Sequence, residues 1–142
     1  MTTEEMKTAL RKMIDDTWHK RDLDAAFGLY ADEFVYHHPP FPPLAGKEAY
    51  RTGKEAIFSA FTEMRCTIQE LVVEGDTAIV EWAWQATHTG IYSKLSIPAT
   101  GKSVQISGCN LYHFKAGKIV EEREYADWMG FMQQFGVIPT HG

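Results

Sequence analysis

The sequence has few cysteines and no concentration of positive charge. Among its 142 residues only Cys66 and Cys109 are cysteine, each within an apolar run rather than a Cys-x-x-Cys pair. We therefore expect two buried thiols in a reducing compartment. The net charge is -5 and no run of Lys or Arg is longer than a pair, so a nucleic-acid partner is not expected.

Several motifs that carry chemistry are also missing. There is no Gly-rich phosphate loop, no Gly-x-Ser-x-Gly elbow and no His-x-x-x-His pair, and His37 directly adjoins His38. This pattern predicts neither a metal site nor a cofactor. Residues 1–13 are charged and amphipathic, unlike a signal peptide or a membrane span. We therefore expect a cytoplasmic protein that does not engage a membrane.

Aromatic residues, by contrast, are plentiful. Apolar residues make up 44% of the chain, and its four Trp, six Tyr and eight Phe exceed what a minimal core needs. Surplus aromatics often line a cavity or an oligomer interface. The length fits one domain spanning residues 1–142. We expect its partner to be a small apolar or aromatic molecule.

Hydrophobic periodicity predicts helices first and strands afterwards. Spacings of three and four indicate helices over residues 4–20, 21–34 and 46–61. The four prolines within residues 34–44 favour an extended segment followed by a stiff loop. Strand composition marks residues 66–73, 77–88, 103–114 and 118–127. This order predicts an α+β fold in which helices cover a strongly curved, mainly antiparallel sheet and enclose one pocket.

Alternation along the predicted strands indicates which side chains share that pocket. One face of residues 77–88 carries Ala78, Val80, Trp82, Trp84, Ala86 and His88. A two-residue turn at Ala116-Gly117 pairs Phe114 with Ile119, and a regular ladder then pairs Asn110 with Arg123 and Ile106 with Asp127. Asp127 and Tyr125 would thus join Asn110 and Tyr112 in the pocket. A β-bulge between residues 120 and 127 would move Asp127 to the other face.

Asp127 is the candidate base of this arrangement. A carboxylate in an apolar pocket gains a raised pKa and becomes a useful base near neutral pH. Asn110 could donate a hydrogen bond to the oxyanion that forms when a proton beside a carbonyl is removed. Alternatively, Asp127 caps a helix over residues 128–135 and has no catalytic role.

Structural interpretations also exist for the other candidates. His37 and His38 can pair with backbone at a strand end, and His88 can be a surface residue there. Trp82 and Trp84 are typical core residues, and residues 121–124 are typical of a solvated strand with weak ion pairs. On the outer face of the sheet, Ile79, Ala83 and Leu111 suggest a homodimer.

Four short motifs, in order and spacing, carry a resemblance to a known family. They are Thr-His-Thr-Gly at 87–90, Pro-Ala-Thr-Gly-Lys at 98–102, Gly-Lys-Ile-Val-Glu at 117–121 and Asp-x-x-Gly-x-x-x-Gln-x-Gly at 127–136. The chain resembles the SnoaL-like polyketide cyclases, within the superfamily of cone-shaped nuclear-transport-factor-type and ketosteroid-isomerase-type domains. The resemblance extends over almost the whole chain.

The resemblance implies a cone-shaped fold and ring closure by aldol condensation of a polyketide ester, with one Asp as acid/base and no cofactor. That Asp falls on Asp127. It further implies that Asn110 lies where the isomerase relatives carry an oxyanion-hole acid, and His38 where they carry a proton-transferring Asp. His113 and Arg123 depart from the Arg and Trp that are common at these positions, so the substrate is not implied.

The leading hypothesis is a cofactor-independent enzyme in which Asp127 and Asn110 are catalytic. The expected substrate-binding residues are His38, Trp84, His88, Tyr112 and Tyr125. An isomerase, dehydratase or epoxide hydrolase on the same fold is an alternative that differs in what the enolate or an activated water attacks. A third possibility is a module that binds a small ligand or a protein without catalysis.

Overall fold

A computed structural model of the protein describes residues 1–139. Four α-helices and six strands occur in this part of the chain. In chain order they are α1 (Thr3–Trp18), α2 (Leu23–Phe27), β1 (Tyr30–His38), β2 (Phe41–Ala45), α3 (Lys47–Ala60), β3 (Phe61–Glu74), β4 (Thr77–His88), β5 (Ser103–Lys115), β6 (Lys118–Ala126) and α4 (Trp128–Gln134). A short 3-10 turn, Ser93–Leu95, interrupts the connection between β4 and β5.

The helices follow the predicted order, but one of the predicted boundaries is wrong. α1 begins at a capping box in which Thr2 and Glu5 satisfy each other's backbone amides. The second helix was expected over residues 21–34, yet α2 ends at Phe27 and β1 begins at Tyr30. Pairing with β6, far along the chain, overrides local helical spacing here.

The strands form one curved, unclosed sheet in the order β2-β1-β6-β5-β4-β3. β1 pairs with β6 in parallel, and the other neighbouring pairs are antiparallel. Residues 41–45 were expected to be a loop, but they form the edge strand β2. Pro42 and Pro43 are tolerated there because an edge strand does not need every amide for the ladder.

The face predicted for β4 is confirmed. Ala78, Val80, Trp84, Ala86 and His88 are buried, and Trp82 is partly buried on the same face. α1, α3 and α4 contact the sheet. On the outer face Ile79 is 39% exposed, and the homodimer expected there stays a prediction. Within residues 1–139 no helix is long and apolar enough to cross a membrane.

The β5–β6 hairpin contains the feature that decides which acids face the helices. Ala116 and Gly117 form the expected two-residue turn, with φ of 51° and 76°. Phe114 pairs with Ile119 as predicted, but His113 then pairs with Glu121. Val120 is therefore an extra residue, so the alternative of a β-bulge is confirmed and the regular ladder was wrong by one residue beyond this point.

Candidate active site

A cavity lined largely by aromatic side chains lies between the sheet and helices α1, α3 and α4. Its aromatic wall consists of Trp18, Tyr36, Tyr50, Phe61, Trp82, Trp84, Tyr92, Tyr112, Trp128 and Phe131. Its polar and charged members are Thr17, His38, Lys54, Cys66, Lys94, Asn110, Glu122 and Glu124. An apolar cavity with a few polar groups is the usual form of a small-molecule site.

Four of the sequence-predicted residues meet in this cavity: His38, Trp84, Asn110 and Tyr112. Asn110 is oriented by its neighbours, because its Oδ1 accepts a hydrogen bond from the Trp82 indole at 2.8 Å. Its Nδ2 therefore points away from Trp82, donates to Glu122 Oε2 at 3.0 Å and lies 3.5 Å from the Tyr112 hydroxyl oxygen. The contact with Tyr112 is at the limit of a hydrogen bond, so the second N–H of the amide is weakly engaged.

Asp127 lies at the junction of β6 and α4, outside the cavity lining described above. Its carboxylate is exposed and caps α4, with Oδ1 accepting a hydrogen bond from the Gly130 amide at 2.9 Å. A Cβ at position 130 would lie 2.3 Å from Asp127 Oδ2, so the cap requires glycine there. The capping interpretation is confirmed, whereas a catalytic role stays a prediction.

Tyr125 and His88 also lie outside the cavity lining. Tyr125 is 54% exposed, because the bulge turns it to the opposite face of β6, which corrects its expected position. His88 is fully buried, so the interpretation of a surface residue is wrong. It packs against Phe61 and Phe135 at ring distances of 5.2 and 4.9 Å, and burial lowers its pKa. Its assignment as a substrate contact stays a prediction.

The bulge brings two glutamates into the cavity that a regular ladder would turn outward. Residues 121–124 were expected to form a solvated surface, but Glu122 and Glu124 are 1% and 9% exposed. In the observed register Glu122 pairs with Tyr112, and Glu124 pairs with Asn110. Arg123 points the other way, where its Nε donates to Glu121 at 2.9 Å.

Glu122 is the centre of a hydrogen-bonded cluster, here called the tyrosine network, that consists of Glu122, Tyr30, Tyr50 and Asn110. The carboxylate accepts hydrogen bonds from the Tyr30 hydroxyl at 2.6 Å, the Tyr50 hydroxyl at 3.1 Å and Asn110 Nδ2 at 3.0 Å. Burial raises the pKa of Glu122, while the nearby Lys54 ammonium and the Tyr30 hydroxyl oppose that shift. The pKa values of both tyrosines are raised, first by burial and then by the Glu122 charge.

Glu124 differs from Glu122 in its surroundings. It lines the cavity beside Tyr36, whose pKa is raised by burial and then by the Glu124 charge. Its charge also adds to the burial that raises the pKa of Tyr92, and it opposes the lowering of the Lys94 pKa. Glu122 thus accepts three hydrogen bonds from the fold, whereas the hydroxyl that interacts with the Glu124 carboxylate is that of Tyr36.

Two lysines, here called the lysine pair, reach the same cavity from separate elements. Lys54 on α3 is 6% exposed, and its ammonium lies 4.8, 5.4 and 4.6 Å from the ring centres of Trp18, Tyr36 and Tyr50. Lys94, in the 3-10 turn, lies 4.0 Å from the ring centre of Phe41. Burial lowers the pKa of Lys94 to about 8, and repulsion by Lys54 contributes.

His38 is held as a neutral imidazole. Its Nε2 lies 2.9 Å from the Pro42 carbonyl oxygen, which can only accept, so Nε2 carries the proton and Nδ1 accepts from Lys94 Nζ at 3.0 Å. Burial lowers the pKa of His38 to about 4, and the Lys94 charge adds to the effect. His38 therefore makes the strand-end contact with backbone that was the structural alternative, and it also lines the cavity.

Lys54, Lys94, Glu122 and Glu124 line the cavity but were not among the residues predicted from the sequence. Lys54 had a local signal, because it lies four residues after Tyr50 and three before Ile57 on the buried face of α3. For the two glutamates the signal was absent, since only the bulge at Val120 turns them inward. Lys94 reaches the cavity through an irregular turn that no periodicity describes.

The thiols and the acids of the described residues show no sign of metal or nucleophilic chemistry. Cys66 is buried at the cavity, and burial raises its pKa to about 12, which makes the thiol a poor nucleophile. Burial also raises the pKa of Cys109. Within residues 1–139 no three His, Cys, Asp or Glu side chains are grouped so that they could hold a metal ion.

A helix-covered, curved and open sheet around an aromatic cavity defines the class of cone-shaped α+β domains. The model of the SnoaL-like polyketide cyclase family matches residues 8–135. The chain therefore belongs to the SnoaL-like polyketide cyclase family, as the resemblance implied. Comparison with curated proteins finds no match.

Solved structures agree with this fold. AclR of Streptomyces galilaeus, a candidate hydroxylase, superposes with a TM-score of 0.88 at 18% identity, over 99% of this chain and 87% of that one. A candidate polyketide cyclase of Acidithiobacillus ferrooxidans gives 0.78 at 26% identity, over 96% and 98%. An LEH-like epoxide hydrolase of M. tuberculosis gives 0.72 at 16% identity, over 94% and 90%. The shared architecture thus serves proteins assigned to different reactions.

Proposed function

We propose that the protein is a cofactor-independent acid/base enzyme that converts a small, apolar or aromatic carbonyl compound through an enolate. The observation that carries this proposal is the position of Glu124, a buried carboxylate that lines the cavity and pairs in register with Asn110. Family membership makes ring closure of a polyketide-like compound the leading reaction.

The proposed step begins with proton transfer. Glu124 takes a proton from the carbon beside a substrate carbonyl, and the electron pair of that C–H bond moves onto the carbonyl oxygen. The N–H of Asn110 that lies near Tyr112 donates to this oxyanion, which lowers the barrier. The enolate carbon then attacks a second carbonyl carbon of the same molecule, and the new alkoxide takes the proton back from Glu124. Atoms and charge balance without a cofactor.

Glu124 and Asp127 are rival candidates for the base, and the geometry favours Glu124. Both are acids near the carboxyl end of β6, but Asp127 is exposed and its Oδ1 is engaged by the Gly130 amide. A base that works on an apolar molecule has to be within hydrogen-bond reach of it inside the cavity. The Asp127 assignment implied by the resemblance stays a prediction that the same experiment tests.

Proton exchange gives a direct test of the base. A panel of aromatic ketones and aromatic β-keto methyl esters is incubated with the protein in deuterium oxide, and deuterium incorporation beside the carbonyl is followed by mass spectrometry. We expect Glu124→Gln to slow catalysed exchange by about 100-fold or more, and Asp127→Asn to change it by less than about threefold. The reverse pattern would assign the base to Asp127 and reject Glu124.

Product mass separates the reactions that share this enolate chemistry. Ring closure leaves the mass of the substrate unchanged unless water is lost afterwards, whereas opening of an epoxide adds one water. Tight binding with no exchange and no product across the panel would favour a ligand-binding module instead.

A further inference from the structure

The lining of the cavity contains several hydrogen-bond donors that have no acceptor among residues 1–139. Lys54 is the clearest case, because its ammonium has no hydrogen-bond acceptor or ion-pair partner among residues 1–139, although the side chain is 94% shielded from solvent by the fold. Lysine is seldom buried without a partner, since removing the ammonium from water is costly. The rings of Trp18, Tyr36 and Tyr50 offset part of that cost through their negative faces.

The second ammonium is in a similar position. Lys94 donates to His38 Nδ1, a neutral acceptor, and its charge rests against Phe41 and Trp128 at 4.0 and 5.2 Å. Neither lysine has a carboxylate within 4.0 Å in the part of the chain described above. The two charges also repel each other, since Lys54 contributes to lowering the pKa of Lys94. One anion near both ammonium groups would relieve this repulsion.

Two buried indole N–H groups also lack a hydrogen-bond acceptor. Trp84 Nε1 and Trp128 Nε1 are buried and have no hydrogen-bond partner among residues 1–139, and both side chains line the cavity. A buried donor without an acceptor costs free energy, and native structures contain few of them. A ligand rich in acceptor oxygens would supply what these groups lack.

The acids of the cavity do not fill this need. Glu122 is engaged in the tyrosine network, and although its charge interacts with that of Lys54, and the charge of Glu124 with that of Lys94, neither acid forms an ion pair with these lysines. Since Glu124 has to give and take a proton in the proposed reaction, a permanent bond to a lysine would hinder it. The cations are thus available to the ligand.

We propose that Lys54 and Lys94 bind an anionic group, a carboxylate or an ionised acidic hydroxyl, on the aromatic compound that occupies the cavity. The inference rests on the proposed function in one respect, because it names the chemical class of the compound on which that function acts. The anion is a fixed recognition group, distinct from the oxyanion that forms near Asn110. The same charges would disfavour cationic compounds and would leave neutral analogues with only apolar contacts.

A pair of near-isosteric probes tests the proposal without turnover. Binding of 1-naphthoate and 1-naphthamide is measured by calorimetry at pH 7 for the wild type and for Lys54→Met, Lys94→Met and the double variant. Lys115→Met is the matched control, because Lys115 is exposed at the end of β5 and loses the same charge. Thermal denaturation checks that each variant is folded.

We expect the wild type to bind naphthoate about tenfold or more tightly than naphthamide, as a charge-assisted contact should. Each single lysine variant should reduce this preference, the double variant should abolish it, and Lys115→Met should keep it. Equal affinities in the wild type, failure of naphthoate to bind, or a preference that survives in the double variant would overturn the proposal. If Lys54→Met does not fold, the preference of the wild type for naphthoate and its reduction in Lys94→Met still test the proposal.

The outcome is separable from that of the exchange experiment. Glu124→Gln should lose catalysed exchange while it keeps the preference for naphthoate. Exchange that depends on Glu124 together with equal probe affinities would reject only the anion site. Exchange that does not depend on Glu124, together with a preference for naphthoate that depends on the two lysines, would reject only the acid/base assignment.

Discussion

The tyrosine network and the lysine pair lie in the same cavity, but their polar groups are satisfied to very different degrees. In the tyrosine network one carboxylate meets three donors at 2.6 to 3.1 Å, all from the fold itself. In the lysine pair one ammonium has no acceptor among residues 1–139 and the other has a neutral imidazole. A complete set of hydrogen bonds stabilises the fold. An incomplete set lowers the stability of the folded protein, and a ligand that supplies the missing partner restores it.

The largest effect on stability should come from disrupting the tyrosine network. Glu122→Ala leaves the hydroxyls of Tyr30 and Tyr50 and the Asn110 amide without their buried acceptor. We expect the free energy of unfolding to fall by about 3 to 5 kcal/mol, measured by urea denaturation. The matched control is Glu121→Ala, which removes a partly exposed ion pair with Arg123 and should cost less than about 1 kcal/mol. Equal losses would contradict a structural role for the network.

An intermediate effect should come from the imidazole beside the lysine pair. Because the pKa of His38 is lowered to about 4 in the fold and is about 6.5 in an unfolded chain, folding favours the neutral ring. Its contribution to stability is complete above pH 6.5 and is lost as the pH falls toward 4. The loss is at most about 3 kcal/mol.

The measurement compares the pH dependence of unfolding for the wild type and His38→Gln between pH 7 and 4. Carboxylates titrate in part of this range in both proteins, so the informative quantity is the difference between the two curves. The wild type should lose more stability on acidification. Parallel curves would show that the ring does not change its proton affinity on folding.

The smallest of the three effects concerns Asp127, which belongs to neither cluster. Asp127→Ala removes the acceptor for the Gly130 amide and should lower stability by about 1 kcal/mol in thermal or urea denaturation. Asp127→Asn keeps a capping oxygen and should lower stability by only about 0.3 kcal/mol. A loss for Asp127→Asn as large as that for Asp127→Ala would mean that the charge matters and not the cap alone.

Local sequence signals predicted much of the fold. The alternation along β4 and the tight turn at Ala116-Gly117 each depend on neighbouring residues, and both are present. The helical cap at Asp127 was foreseen for the same reason. In contrast, the first part of β1, residues 30–34, was mistaken for helix, because the strand conformation is imposed by parallel pairing with a strand about 90 positions later.

The candidate site was predicted only in part, and for a similar reason. Trp84, Asn110 and Tyr112 line the cavity as expected, since each lies where the alternation of β4 or β5 is regular, and His38 lines it as the resemblance implied. Glu122 and Glu124 were assigned to the surface, because glutamate in a strand is usually solvated and a bulge has no signature in a single sequence. The lysine pair needs the tertiary structure, since three aromatic rings from α1, β1 and α3 surround Lys54.

The bulge at Val120 has a consequence for how such cavities can change. An unbroken ladder would present Glu121, Arg123 and Tyr125 to the interior, so one extra residue in the strand replaces an acid, a base and an aromatic ring with the two acids Glu122 and Glu124. A single-codon deletion at this point is therefore a larger chemical change than most substitutions.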